Sequence, residues 1–217
     1  SCGAGDLLLT VAQFLPLGSS IWDTCRDWGN RLAGYDQHEE FVNAAKLRLA
    51  ILAACRHHVS GVREYSSLAD CFPLISCADG LSETYLYHRA DAVIVNPPFS
   101  IINAPPECEW GSGGINMAAL FIDKILHETR AGTRVVGILP DVLRSGSRYT
   151  TWRQSVEETA DILSVRQHGL FDRWADVDVF SLDLVTKKKH ESRKKRRMVW
   201  GPKRSCHQKS IGDFFEV

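Results

Sequence analysis

The feature that most constrains this chain is an alternation. Short apolar runs rich in β-branched residues, most of them ending at a polar or turn-forming residue, take turns with longer stretches of helical period. Strands are expected at Arg31 to Tyr35, Pro73 to Cys77, Asp91 to Val95, Thr133 to Leu139, Ile162 to Gln167 and Val179 to Thr186. Helices are expected at Leu7 to Leu15, Glu39 to His58, Ile115 to Thr129 and Tyr149 to Thr159. The second of these carries Phe41, Ala44, Ala45, Leu47, Leu49, Ile51 and Leu52 as its candidate buried face. Strands separated by helices pair through crossovers, so the pattern predicts an α/β fold with a parallel or mostly parallel sheet wrapped by helices.

At 217 residues the chain has room for one well-filled domain with at most a short appendage. Apolar residues at 44% and charged residues at 24% match a globular protein rather than a disordered or membrane chain. No apolar run is long enough for a membrane helix and no signal sequence opens the chain, so a cytoplasmic location is expected. Seven scattered cysteines form no C-x-x-C pair, which argues against a zinc site and a disulfide framework and for reduced thiols. The net charge of zero hides an asymmetry: residues 1 to 186 hold 15 Lys and Arg against 23 Asp and Glu, whereas Lys187 to Arg204 holds ten basic residues and only Glu191. The expected organisation is a core over residues 1 to 190, then a basic linker over 191 to 217.

Asn96-Pro97-Pro98-Phe99 follows the apolar run Ala92 to Val95, at the carboxyl end of a buried strand, where open α/β sheets bind ligands. The two prolines fix φ and lack N–H donors, leaving a stiff loop whose carbonyls are free to accept. An exocyclic amine offers two N–H groups, which Asn96 Oδ1 and the Pro97 carbonyl can accept while aiming the nitrogen lone pair at an electrophile, with Phe99 stacked on the base. Asn and Pro are also ordinary strand-ending turn residues. Cys2-Gly3-Ala4-Gly5-Asp6 is a glycine turn opening a helix, which allows close approach of a ligand to the backbone. Asp36, at the end of the next expected strand, suits the two hydroxyls of a ribose, and Asp79, just past the strand after that, suits an adenine amino group. Either Asp taken alone reads more readily as a turn or helix-cap residue, and their weight comes from falling in order at successive strand ends.

Taken in order, C-G-x-G, an acidic residue, D-G and N-P-P-F resemble the amino-methyltransferases that act on adenine in DNA, in the subgroup whose cofactor motif precedes the catalytic one. Gly132 to Pro140 resembles the family's next strand and turn, Val179 to Lys187 the antiparallel strand of its closing hairpin, and Ser210 to Val217 the lead into a target-recognition domain. The resemblance implies a Rossmann-like class I methyltransferase fold with one antiparallel strand and helices on both faces. It implies S-adenosylmethionine as cofactor, held by Cys2, Gly3, Gly5, Asp36, Asp79 and Asn96. It implies catalysis by Asn96, Pro97, Pro98 and Phe99 on an adenine flipped out of double-stranded DNA, without a metal. A restriction-modification or related phage-defence role, with a target-recognition domain or specificity subunit as partner, goes with the family.

The chain departs from the family at its start, where the acidic residue and proline that usually close the first strand are absent. Since Ser1 to Asp6 is a loop with no strand in front of it, the central strand is expected upstream. Asp6 is a candidate for cofactor contact and equally for helix N-terminal stabilisation. The stretch Glu107 to Gly114 reads as a glycine-rich flap in which Trp110 either contacts DNA or sits half-buried in a surface loop. Lys188, Lys189, Arg193, Lys194 and Lys195 are candidate phosphate contacts, with a solvated linker as the other option. Two alternatives stand beside this reading: the loop also fits a methyltransferase acting on an amino group of ribosomal RNA guanine or protein glutamine, and the missing first strand fits an inactive truncated domain that binds DNA or a partner.

Overall fold

The computed structural model describes residues 2–59, 65–172, 176–188 and 200. The chain divides into two compact units, Ser1–Leu86 and Tyr87–Val217, each built around its own core.

The first unit runs α1 (Asp6–Ala12), α2 (Ile21–Gly29), β1 (Gly34–Asp36), α3 (Glu39–Arg56), α4 (Tyr65–Ala69) and β2 (Ile75–Cys77). β1 and β2 pair in parallel with Asp36 opposite Cys77. Ser20 starts α2 reciprocally: its hydroxyl accepts from the Asp23 N–H at 3.1 Å and donates to the Asp23 carboxylate at 2.8 Å. That helix buries Trp28 completely, the indole N–H donating to the Pro16 carbonyl at 3.0 Å. Arg56 covers the Trp28 ring and donates to the carbonyls of Ala12 and Leu15, both at 2.8 Å, so orphan acceptors after α1 are satisfied from α3. The buried face of α3 is Val42, Ala45, Leu49, Ala50, Ala53 and Ala54. Phe41, Leu47 and Ile51, expected on that face, are 40–48% exposed. The helix carries apolar residues on two sides, and its many alanines mark the side that packs closely.

The second unit holds β3 (Ala92–Val95), β4 (Ile101–Asn103), β5 (Gly114–Asn116), α5 (Met117–Glu128), β6 (Arg134–Pro140), α6 (Asp141–Ser145), α7 (Thr150–Thr159), β7 (Ala160–Leu170) and β8 (Asp178–Thr186). Its four-stranded sheet has the order β3-β6-β8-β7. β3 lies parallel to β6, and β8 runs antiparallel to both β6 and β7, as the resemblance implied for Val179 to Lys187. β4 and β5 form a separate antiparallel pair. α5 lays Ala118, Ala119, Ile122, Ile125 and Leu126 into a core shared with Val135, Leu139, Trp152, Phe180, Leu182 and Leu184. The Trp152 indole donates to the Ala119 carbonyl at 3.1 Å, so this buried polar atom is satisfied. All six expected strands are present, with ends shifted by up to three residues. The helix expected from Ile115 begins two residues later, because Ile115 and Asn116 belong to β5.

Candidate active site

In the first unit the glycine turn is tied to the end of β1. The Cys2 N–H donates to the Tyr35 carbonyl at 2.7 Å, and the Gly5 N–H closes back on the Cys2 carbonyl at 3.0 Å. Gly3 has φ 53° and Gly5 φ 90°, left-handed values at which a side chain is strained. A Cβ on Gly5 would lie 2.9 Å from Ala45 Cβ, so this glycine lets the turn rest on α3, whereas a Cβ on Gly3 would meet nothing within 4 Å. The Gly3 N–H donates to Asp36 Oδ2 at 2.8 Å, and the His38 N–H to Asp36 Oδ1 at 3.1 Å. Asp36 is 6% exposed. Burial by itself would raise its carboxyl, but the donors from Gly3 and His38 outweigh it and hold the group below the ordinary carboxylate value. It is therefore an anion at neutral pH with acceptor capacity left beyond these bonds.

The Ala78 N–H donates to the Asp36 carbonyl at 2.8 Å, so the chain leaving β2 stays beside Asp36 and carries Asp79 to the same end of the two-stranded sheet. Asp79 heads a turn, accepting from the Leu81 N–H at 3.0 Å and the Ser82 hydroxyl at 2.9 Å. Asp6 is 2.7 Å from Arg48, with its side chain 82% exposed in the first turn of α1, which fits charge stabilisation of that helix start. The Cys2 thiol is pushed up by burial and then by the neighbouring Asp36 charge, so it stays neutral and is a packing group rather than a nucleophile.

In the second unit Asn96-Pro97-Pro98-Phe99 leaves β3 directly after Val95, which pairs with Gly137 of β6. Pro97 is buried, Pro98 exposed, and Asn96 and Phe99 half-buried. The Phe99 carbonyl accepts from Asn116 Nδ2 at 2.9 Å and the Ser100 carbonyl from the Met117 N–H at 2.9 Å. The Phe99 ring meets Phe171, which follows β7, edge to face at 5.7 Å. Asn116, Tyr149 and Phe171 were not among the sequence candidates. Only Asn116 carried a signal, as an Asn placed directly before the apolar helical run that starts at Met117.

Trp110 is corrected by its surroundings. It is 7% exposed and packs in the core cluster of the second unit, so the indole anchors the loop between β4 and β5 and presents no free face to DNA. Its large apolar surface is better satisfied against Ile115 and the α5 core than in water. Lys188 is exposed just after β8. Lys189, Arg193, Lys194 and Lys195 lie outside the described residues. The six described cysteines are free. Among the described residues no helix is long and apolar enough to cross a membrane, and no cluster of three or more metal-ligating side chains occurs.

No family model and no curated relative matches the chain. Solved structures do. The M protein of the type I restriction enzyme EcoKI superposes with TM-score 0.59 at 17% identity, over 86% of this chain and 38% of that one. A modification subunit assigned to a type I restriction enzyme from Vibrio vulnificus gives 0.57 at 15%, over 85% and 39%. A protein described as a class I S-adenosylmethionine-dependent methyltransferase from Listeria monocytogenes gives 0.53 at 16%, over 92% and 55%.

The chain has the class I methyltransferase fold.

It spans between 38% and 55% of the length of these structures. Asp36 is the last residue of β1 and Asn96 the first residue past β3, each at the carboxyl end of a strand in a parallel pair.

Proposed function

We propose that this chain is the catalytic core of an S-adenosylmethionine-dependent methyltransferase that methylates the N6 amino group of adenine in DNA. The observation that carries the proposal is the stiff Asn96 to Phe99 loop at the carboxyl end of β3, fastened through its Phe99 carbonyl and aromatic at its exit.

The residues of the first unit fit the cofactor. Asp36, ionised and buried, suits two ribose hydroxyls; the open side of Gly3 admits a ligand against the backbone; Asp79 supplies a further acceptor for the adenine amine. Cys2 and Gly5 shape the turn. Held by these residues, S-adenosylmethionine would supply an electrophilic sulfonium methyl group, with S-adenosylhomocysteine as the leaving group.

Asn96 Oδ1 and the Pro97 carbonyl accept the two amine hydrogens and aim the lone pair, so that orientation rather than full deprotonation does most of the catalysis. The proton released from the methylated nitrogen passes to solvent. Phe99 stacks on the target base, which at about 1–3 kcal/mol per stacked base offsets part of the few kcal/mol needed to flip it from the duplex. Two of the similar structures are modification proteins of type I restriction enzymes, which favours DNA over RNA or protein as the acceptor and a restriction-modification setting with a separate specificity element. The basic run from Lys187 to Arg204 supplies charge for phosphate contact.

The test is transfer of tritiated methyl to DNA, RNA and protein pools by wild type and Asn96→Ala. Label is expected in DNA as N6-methyladenine, with at least about a hundredfold loss in the variant and unchanged cofactor affinity by calorimetry. Equal turnover by the variant sinks the assignment, and label only in RNA or protein overturns the acceptor.

A further inference from the structure

Asn116 is the last residue of β5, the N-cap of α5, and 3% exposed. Each polar group of this residue that can donate, and its side-chain acceptor, has a partner of the right kind. Nδ2 donates to the Phe99 carbonyl at 2.9 Å, Oδ1 accepts from the Ala118 N–H at 2.9 Å, and the backbone N–H donates to the Tyr149 hydroxyl at 2.9 Å. Turning the side-chain amide over would set an oxygen against a carbonyl and an NH2 group against an N–H, so its orientation is fixed.

Tyr149 is 4% exposed and closes the short 3-10 turn Ser147–Tyr149 ahead of α7. From the same turn Arg148 donates to the Ser112 carbonyl at 2.9 Å, in the loop between β4 and β5. One turn therefore holds the β4–β5 pair at two points.

The loop needs such outside help. Pro97 and Pro98 have no N–H, so the backbone from 97 to 98 cannot be tied down through donors, and its fastening must come through carbonyls. Asn116 supplies the donor at the first residue past the prolines, and the ladder continues with Ser100 bonded to Met117 and Ile101 opposite Asn116.

We propose that Asn116 and Tyr149 form a buried brace that sets the position of the Asn96 to Phe99 loop, acting as positioning residues for methyl transfer through the Phe99 carbonyl. The proposal rests on the assignment of that loop as the acceptor site. A displacement of about 1 Å at a reacting group costs on the order of a hundredfold in rate, so the brace is expected to show in kcat and not in cofactor affinity.

Asn116→Asp is the discriminating variant. It keeps an oxygen for the Ala118 N–H, since Asp caps helices as well as Asn, but sets a second oxygen against the Phe99 carbonyl in place of the donor. Tyr149→Phe keeps the ring and removes only the hydroxyl, and Asn116→Ser keeps a cap without adding charge. For Asn116→Asp we expect kcat for DNA methylation to fall on the order of a hundredfold, and for Tyr149→Phe about tenfold, with S-adenosylmethionine affinity within about twofold of wild type. Hydrogen exchange over residues 96–103 should quicken in both variants, while exchange over α3 stays unchanged. Wild-type kcat in Asn116→Asp, or unchanged exchange over 96–103 in both variants, overturns the brace. A wild-type chain that neither binds S-adenosylmethionine nor transfers methyl overturns the methyltransferase assignment instead, and the exchange comparison still decides whether the brace exists.

Discussion

Alanine at Gly3 and at Gly5 separates two demands that one sequence motif merges. Both residues have left-handed φ, 53° and 90°, so alanine at either carries a strain of about 1–2 kcal/mol. Losing the freedom of glycine in the unfolded chain gives back about 0.4–1 kcal/mol at each. The surroundings then divide them. The new methyl at Gly5 would sit 2.9 Å from Ala45 Cβ and 3.1 Å from Ala45 Cα, and the second is helix backbone that cannot rotate aside. Overpacking of that kind adds about 1–3 kcal/mol, whereas the new methyl at Gly3 meets nothing within 4 Å.

Urea unfolding should therefore show Gly3→Ala destabilised by about 1 kcal/mol and Gly5→Ala by about 2–4 kcal/mol. Cofactor affinity should rank the other way. At Gly3 the methyl projects into the open space beside Asp36, so calorimetry with S-adenosylmethionine should show at least a tenfold loss, about 1.4 kcal/mol, in a variant that remains folded. Equal destabilisation of the two would refute the packing argument. Wild-type affinity in Gly3→Ala would refute the assignment of that open side to the cofactor.

The Asp141 and Arg144 pair at the start of α6 offers a test of buried charge. Arg144, its side chain 1% exposed, is bonded to both Asp141 oxygens at 2.7 and 3.1 Å. Asp141→Ala should cost about 3–5 kcal/mol in denaturant unfolding by removing the carboxylate opposite the buried cation, which keeps its bond to the Trp200 carbonyl, and Asp141→Ala with Arg144→Met should recover much of that; a double variant as unstable as the single one would refute a penalty from the buried charge. Asp36 gives a pH signature. Its carboxyl is held below the ordinary 3.8, so its contribution to stability is present above that value and disappears as the pH falls through the lower folded value. Wild type and Asp36→Asn should thus differ most in stability near neutral pH and converge in acid; a gap that widens on acidification would reverse the sign of the argument.

The elements legible in the sequence were those with length on their side. β6 and β8 have seven and nine residues, and α3 and α5 have 18 and 12, enough for period to emerge. β4 and β5, three residues each, are too short to alternate: the stretch between them reads as a flap, and Ile115 and Asn116 read as the start of the helix that follows. α2 is different, because Ile21, Cys25 and Trp28 recur at helical spacing behind Ser20 and Asp23, a signal that its polar composition obscured. In the site, Gly3 and Asp36 were legible because a backbone N–H bonds a carboxylate at a strand end, and both partners have a residue signature. The support of the Asn96 to Phe99 loop was not, because Asn116 acts through a carbonyl, which every residue has, and Tyr149 through a backbone N–H.

The same limit explains why the wrong aromatic stood out. Trp110 lies close to the Asn96 to Phe99 loop in sequence, but strand pairing of Ile102 with Ile115 turns the connecting loop back toward α5, where burial of a large ring is the stronger demand. Phe171 is distant in sequence, beyond a long strand that pairs with β8. β7 shifts register between Ile162 and Ser164 and again between Gln167 and Gly169, and such irregularities bend a strand and increase its twist. At its end Phe171 is held by a hydrogen bond from its N–H to the Val177 carbonyl at 2.8 Å and meets the Phe99 ring edge to face. Proximity along the chain thus selects a core residue, and the aromatic partner of Phe99 comes from a hairpin whose path depends on irregular pairing that no residue period records.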